Sequence, residues 1–393
     1  MGVMFRKQRG AFVFTGIAKL AVIGFIISLA AAFVTTIWSV YLEGFLGNPS
    51  LVGFFSAAMT VVSFISFFVI IPFIERSNKA KLYYWVILLS AIVYVVFAFI
   101  SQLYLLVIFS LLITILVALR ISVWGIIIKD KSGEKQISRN EGLVYTFINI
   151  AFLIGPLIAG LIAAKYGNSL IFIIAAILFF VGFVVFGVSR IRDANVQKKV
   201  DSNLIKNFYD FFKNKDRFVA YFLGGGVNLW WSLIYVFMPL YIIMNNLNEA
   251  WIGYFLFAVV IPLILLEYFF SKITGKRGFK KIFLIGFFIV AIASFICYFV
   301  SSNLILTLGV LVFASFGMAM VEPTTEAYFL DLLKNKRDEC RFYSPYNTAI
   351  DVNYFIGELL SATILVFFPF KFLFLLYGFF MACLFFLSFK VKK

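Results

Sequence analysis

The stretch SVYLEGFLGNPSLVGFF, residues 39–55, returns 200 positions later as PLYIIMNNLNEAWIGYF, residues 239–255, with Tyr41 meeting Tyr241 and Gly53 meeting Gly253. Under the same shift the loop ERSNKAK at 75–81 meets GKRGFKK at 275–281. A shift of 202 lays GLVYTFINIAFLIGPLIAG (142–160) on SPYNTAIDVNYFIGELLSA (344–362), so that Gly155 meets Gly357 and Arg139 meets Arg341. No gap is needed inside either block. A repeat of this length constrains the architecture before any local propensity does.

The repeated material is apolar. The chain of 393 residues is 63% hydrophobic, against about half for a soluble domain. Apolar runs fall at 16–43, 51–74, 82–100, 103–128, 142–164, 168–189, 218–243, 250–271, 282–300, 303–330, 342–367 and 371–389. Each is near the roughly 20 residues that cross a bilayer. The expected fold is therefore all-α and integral to a membrane: twelve transmembrane helices in two pseudo-symmetric six-helix bundles. Parallel repeats of this kind place a site where the halves meet. The expected organisation is a cytoplasmic tail at 1–15, a first bundle at 16–189, a linker at 190–217 and a second bundle at 218–393. Within the linker, Leu204, Phe208, Phe211 and Lys215 keep helical spacing, as in a short amphipathic helix at the membrane interface.

The formal net charge of +16 does not indicate nucleic acid, because it is segregated. With the N-terminus inside, thirty of the 34 Lys and Arg residues fall in the tails and inner loops, and only Lys165 and Lys371 fall in outer loops. That asymmetry orients membrane proteins and puts both termini in the cytoplasm. The short loops suggest a prokaryotic plasma membrane. The chain has no histidine and three cysteines, so no disulfide framework, metal centre or cofactor is expected. No GxxxxGK[ST] loop is present for ATP, and no nucleophile motif marks an enzyme.

Charge inside the apolar runs is the informative exception. The tenth run ends in VEPTTEAY (321–328), with Glu322 and Glu326 one helical turn apart. Under the 202 shift Glu322 falls on Arg120 and Glu326 on Trp124. Arg120 and Glu322 each lie about nine residues, or roughly 14 Å, from the inner end of the span. An unpaired charge at that depth costs about 2.5–3.5 kcal/mol, so such residues face a cavity or each other. On the eleventh run Asn347, Asp351, Tyr354 and Glu358 form one stripe. Tyr145 and Asn149 hold the equivalent places on the fifth run, and Asn228, Trp231 and Tyr235 form a stripe on the seventh. A weaker stripe, Ser28, Thr35 and Ser39, lies on the first run. Glu267 is assigned to an inner loop.

These features resemble the major facilitator superfamily over nearly the whole chain. IGPLIAG at 154–160 resembles that family's Gly-Pro-x-x-Gly-Gly signature, with Ala159 in place of the first closing glycine. Arg120 resembles its membrane-embedded arginine of span 4, without the Gln-Gly that follows it. Glu75, Arg76, Lys276, Arg277 and Gly278 resemble its inner gate loops only faintly. Gly155, Pro156 and Gly160 then serve helix packing. The resemblance implies spans 4 and 10 facing one another, Arg120 pairing with Glu322, and secondary active transport by alternating access. The span 5 signature is commonest in drug/proton exchangers.

Arg120, Glu322, Glu326, Asp351 and Glu358 are the candidate proton-coupling or gate residues. Close carboxylates in a low dielectric do not all ionise. Trp124, Tyr145, Asn149, Asn228, Trp231, Tyr235, Asn347 and Tyr354 are the candidate cavity lining. An acidic, aromatic cavity suits a cationic or neutral small solute better than a polyanion, which would want several cations. The expected partners are the lipid bilayer, the solute and protons, with no nucleic acid, and a monomer is the expected functional unit. An uncoupled facilitator, a lipid flippase or a non-transporting receptor remain open alternatives.

Sidedness is directly testable. A fluorescent protein fused after Lys393 is expected to fold and fluoresce, and alkaline phosphatase fused there to stay inactive. Phosphatase inserted in the loop at 47–50 is expected to be active; the opposite pattern at both sites would overturn the orientation.

Overall fold

The computed structural model describes residues 5–8, 11–14, 16–132, 137–191, 204–333 and 336–391. A short antiparallel hairpin, β1 (Phe5–Gln8) and β2 (Ala11–Phe14), precedes the helices. Twelve helical segments among the described residues are long and apolar enough to cross a membrane, as the apolar runs predict. Helices satisfy their backbone groups internally, which hydrocarbon demands of any lipid-exposed segment.

The first six spans are α1 (Gly16–Leu46), α2 (Pro49–Arg76), α3 (Lys79–Phe99), α4 (Leu103–Ser132), α5 (Ile137–Tyr166) and α6 (Asn168–Val188). A short α7 (Leu204–Lys213) follows. The seventh span is α8 (Lys215–Ser232), a π-helical turn at Leu233–Phe237 and α9 (Met238–Met244). Next come α10 (Glu249–Arg277), α11 (Phe279–Val300) and α12 (Leu304–Asp331). The eleventh span is divided between α13 (Lys336–Asn347) and α14 (Ala349–Phe367), and α15 (Lys371–Ser388) is the last.

Two departures from sequence expectation concern α7. Lys215 belongs to α8, not α7, because the Asn214 side chain accepts from the Asp216 and Arg217 amides and starts a new helix there. The apolar face of α7 is also partly engaged by protein. Phe211 is fully buried, with ring neighbours Tyr221, Phe329 and Phe342.

Packing divides the chain into two compact units. The first is Met1–Tyr41, Val62–Lys198 and Asn248–Tyr254; the second is Leu42–Val61, Lys199–Leu247 and Phe255–Lys393. Contacts inside them reproduce the repeat. In the first, the Tyr41 hydroxyl donates to the Phe97 carbonyl at 2.7 Å and its ring lies 4.5 Å from that of Phe172. In the second, the Tyr241 hydroxyl donates to the Ser301 carbonyl at 2.6 Å, with Phe374 at 5.5 Å. Both acceptors are carbonyls at a helix C-terminus, which lack intrahelical partners.

The glycines echo this pattern. A Cβ on Gly155 would lie 2.6 Å from Ala32 Cβ, and a Cβ on its repeat partner Gly357 would collide with the side chain of Ser232. Within the first unit Gly160 and Gly253 bring α5 and α10 into backbone contact. Within the second, a Cβ on Gly53 would lie 2.8 Å from Ala362 Cβ. Small residues allow this close approach of membrane helices.

Gly160→Val and Gly253→Val are each expected to destabilise the protein by about 1–3 kcal/mol through overpacking. Gly309→Ala, where the methyl would meet open space, is expected to leave stability unchanged. Thermal unfolding in detergent distinguishes them; equal behaviour of all three variants would remove the packing role.

Candidate functional site

In the second unit, polar groups gather on three helices. Trp231, on the last turn of α8, donates its indole N–H to Oε2 of Glu322 on α12 at 3.3 Å. Its ring stacks on Tyr235 at 5.1 Å between centroids and 26° between planes. Tyr235 sits in the π-helical turn, which inserts a wide turn into the ladder and re-aims the side chains after it. Tyr354 of α14 lies within electrostatic reach of Tyr235, Glu322 and Glu358.

VEPTTEAY is irregular for a local reason. Pro323 lies inside α12 and contributes no amide donor. The following threonines turn back onto the helix: Thr324 donates to the Met320 carbonyl at 2.7 Å and Thr325 to the Glu322 carbonyl at 2.8 Å. Glu326 takes a different position from Glu322. It is exposed, and Oε1 accepts from the Tyr343 hydroxyl of α13 at 2.9 Å.

Glu358 is only 4% exposed. Its Oε2 accepts from the Thr60 hydroxyl of α2 at 2.7 Å, within the second unit. Asp351 lies within electrostatic reach of Glu358. Ser232 and Ser361 meet the Tyr377 hydroxyl at 2.8 and 3.0 Å. Asn228 donates to the Gly224 carbonyl of its own helix at 3.2 Å. Asn347 is exposed on α13.

Glu267 requires a correction. It lies inside α10, which runs on to Arg277 past the end of the apolar run, and it is within electrostatic reach of Glu322. Its nearness to Lys272 suggested a loop, but the helix continues through both residues. Thr60, Ser232, Ser361 and Tyr377 carried no sequence signal, because isolated hydroxyls in apolar helices usually bond their own backbone. Thr35 does so, donating to the Ala31 carbonyl at 2.9 Å.

In the first unit the Arg120 guanidinium lies over Phe179, 5.2 Å from the ring centroid, within electrostatic reach of Tyr83 and Tyr94. Trp124 stacks on Tyr83 at 4.9 Å and 22° and packs against the bare backbone of Gly24. Tyr145 and Asn149 are exposed on α5. Glu75 offers its carbonyl to Lys79 Nζ at 3.1 Å, and Arg76 ends α2. Gly278 adopts φ +81° between α10 and α11, a conformation that favours glycine. The side chains of Lys276 and Arg277 lie outside the described residues. No group of His, Cys, Asp and Glu among the described residues is arranged to hold a metal.

The chain belongs to the Major Facilitator Superfamily, whose family model matches residues 20–263 and 220–393. Over 231 residues it is 22% identical to an uncharacterized MFS-type transporter of Methanocaldococcus jannaschii, a match covering 58% of this chain and 59% of that protein. That is less than two thirds of the relative's length. Among solved structures, a variant of the nucleoside transporter NupG superposes with a TM-score of 0.80 at 12% identity, over 96% of this chain and 100% of that one. A POT family transporter in complex with 5-aminolevulinic acid gives 0.77 at 14% identity, over 100% and 99%. These likenesses establish the fold: an integral, multi-pass membrane protein of twelve spans.

Thr60→Val removes the hydroxyl that serves the Glu358 carboxyl. The expected destabilisation is about 1–3 kcal/mol, the cost of stranding a buried polar group. Thr60→Ser is expected to retain most of the stability. Thermal unfolding of the two variants checks this, and equal loss in both would refute the role of the bond.

Proposed function

We propose that the protein is a secondary active transporter that moves a small cationic or neutral solute by alternating access, coupled to protons. The observation that carries this reading is the Trp231 indole bonded to Glu322 in the middle of an apolar helix, with Tyr235 stacked beside it. An acidic group among aromatic faces offers both charge and cation–π attraction to a positively charged or polar solute. Asp351, Tyr354 and Glu358 extend that surface. NupG is a nucleoside transporter and the POT proteins are peptide transporters; both support a small polar organic solute here.

In this proposal Glu322 takes up a proton from one side of the membrane. The carboxylates Glu267, Asp351 and Glu358 raise the local demand for a proton or a cationic solute. The protein acts as a monomer in a prokaryotic plasma membrane with both termini in the cytoplasm. Drug/proton exchange, which the Gly155-Pro156 signature suggests, is one form this takes.

Transport in proteoliposomes tests the proposal. Wild-type protein is expected to concentrate its solute when a proton gradient is imposed and to equilibrate it when the gradient is collapsed. Glu322→Gln is expected to lose concentration against a gradient while keeping solute exchange at equal pH. A Glu322→Gln variant that still concentrates solute would refute the role of that carboxylate. Wild-type transport indifferent to the gradient would make the protein an uncoupled facilitator.

A further inference from the structure

At the end of the second unit that carries basic loops, α7, the first turn of α8 and α13 line an open surface pocket of about 340 Å³. Its lining is Asp210, Lys213, Asn214, Arg217, Arg341 and Phe342. The two arginines are held in place. Arg341 donates to Asn207 Oδ1 at 2.7 Å and forms an ion pair with Asp210. Arg217 donates to the Asp210 carbonyl at 2.8 Å. Both guanidinium groups lie over the Phe342 ring, 3.8 and 5.0 Å from its centroid. The buried Phe211 supports Phe342 from the side of α7.

The lining is not balanced. Lys213, Arg217 and Arg341 face one carboxylate, Asp210, and Asp338 reaches Arg217 from outside the lining. Nε of Arg217 is buried with no acceptor among the described residues. A buried donor without an acceptor is costly, and an entering oxyanion would supply one. Guanidinium forks match phosphate oxygens in pairs. The pocket also lies beside the first turn of a helix long and apolar enough to cross a membrane, and acidic headgroups collect next to basic segments that flank such helices.

We propose that this pocket binds a phosphate-bearing anion, most directly the diester headgroup of an acidic lipid. The ligand would tie α7 to α8, which leads to Trp231, and to α13, which leads to Asp351. The linker helix and two site-bearing spans would then respond to the lipid composition of the leaflet.

The test uses the full chain in neutral detergent. Thermal unfolding is followed while phosphatidylglycerol, phosphatidylcholine or inorganic phosphate is titrated into the wild type and into Lys213→Gln, Lys213→Arg and Lys129→Gln. Phosphatidylglycerol is expected to raise the unfolding temperature and phosphatidylcholine to leave it unchanged. Lys213→Gln is expected to need about fivefold more phosphatidylglycerol for the half-maximal shift, as loss of one cation near an acidic surface implies. Lys213→Arg and Lys129→Gln, whose lysine is not part of the lining, are expected to match the wild type. If inorganic phosphate alone gives a shift that Lys213→Gln weakens, the site stands and its source is a soluble phosphate. If both lipids act alike and phosphate has no effect, the proposal is overturned. It is also overturned if Lys213→Gln and Lys129→Gln weaken the shift equally, since the effect would then be diffuse surface charge.

Discussion

In hydrocarbon, a polar group has no water to fall back on and must find its partner within the protein. Most of this chain obeys by the cheapest route. Helical backbones bond internally, and hydroxyls such as those of Thr36, Ser90 and Ser294 turn back to the carbonyl four residues earlier. Helix ends are served from neighbouring helices, as Tyr41 and Tyr241 do. Other groups bond across helices, among them Trp231 with Glu322, Thr60 with Glu358, and the Tyr377 hydroxyl with its two serines.

The twelve spans were legible because hydropathy over twenty residues is a strong, local signal. The parallel repeat was legible because Tyr41, Gly53 and Gly155 recur without gaps, and the structure assigns each repeated pair the same job. The carboxylates were legible as anomalies in apolar runs. Their partners were not. Thr60 and Glu358 are 298 residues apart, and nothing in a threonine among alanines and valines announces a distant acid. Glu267 lies within the apolar run at 250–271, and its nearness to Lys272 suggested a loop where α10 in fact continues. For α7, the amphipathic pattern was correct, but its face could equally have covered lipid; the aromatic neighbours of Phe211 decide that part of it packs on protein.

The backbone irregularities fall on the helices that bear these groups. The seventh span carries the π-helical turn at Tyr235, α12 carries Pro323 beside Glu322, and the eleventh span breaks at Thr348 before Asp351. Their repeat counterparts α1, α4 and α5 run as single helices. Irregular backbone at membrane depth is tolerated where it is covered by protein or lines a cavity. The π-helical turn and the break at Thr348 have no counterpart in α1 and α5, whereas prolines lie inside helices on both sides of the repeat, at Pro72 and Pro156 as well as Pro323.

The contact between Gly155 and Ala32, and its counterpart between Gly357 and Ser232, make the point at atomic scale. Both pairs let a span approach its neighbour closely, and both would clash if the glycine gained a side chain. In the first unit the facing residue is a methyl group, and the contact does nothing but pack. In the second it is a hydroxyl, which meets Tyr377, and the Tyr377 hydroxyl in turn meets Ser361 and lies within electrostatic reach of Glu358. One oxygen atom in place of a hydrogen thus links the packing seam to the carboxylate cluster. The repeat supplies the scaffold, and the departures from it supply the polar chemistry.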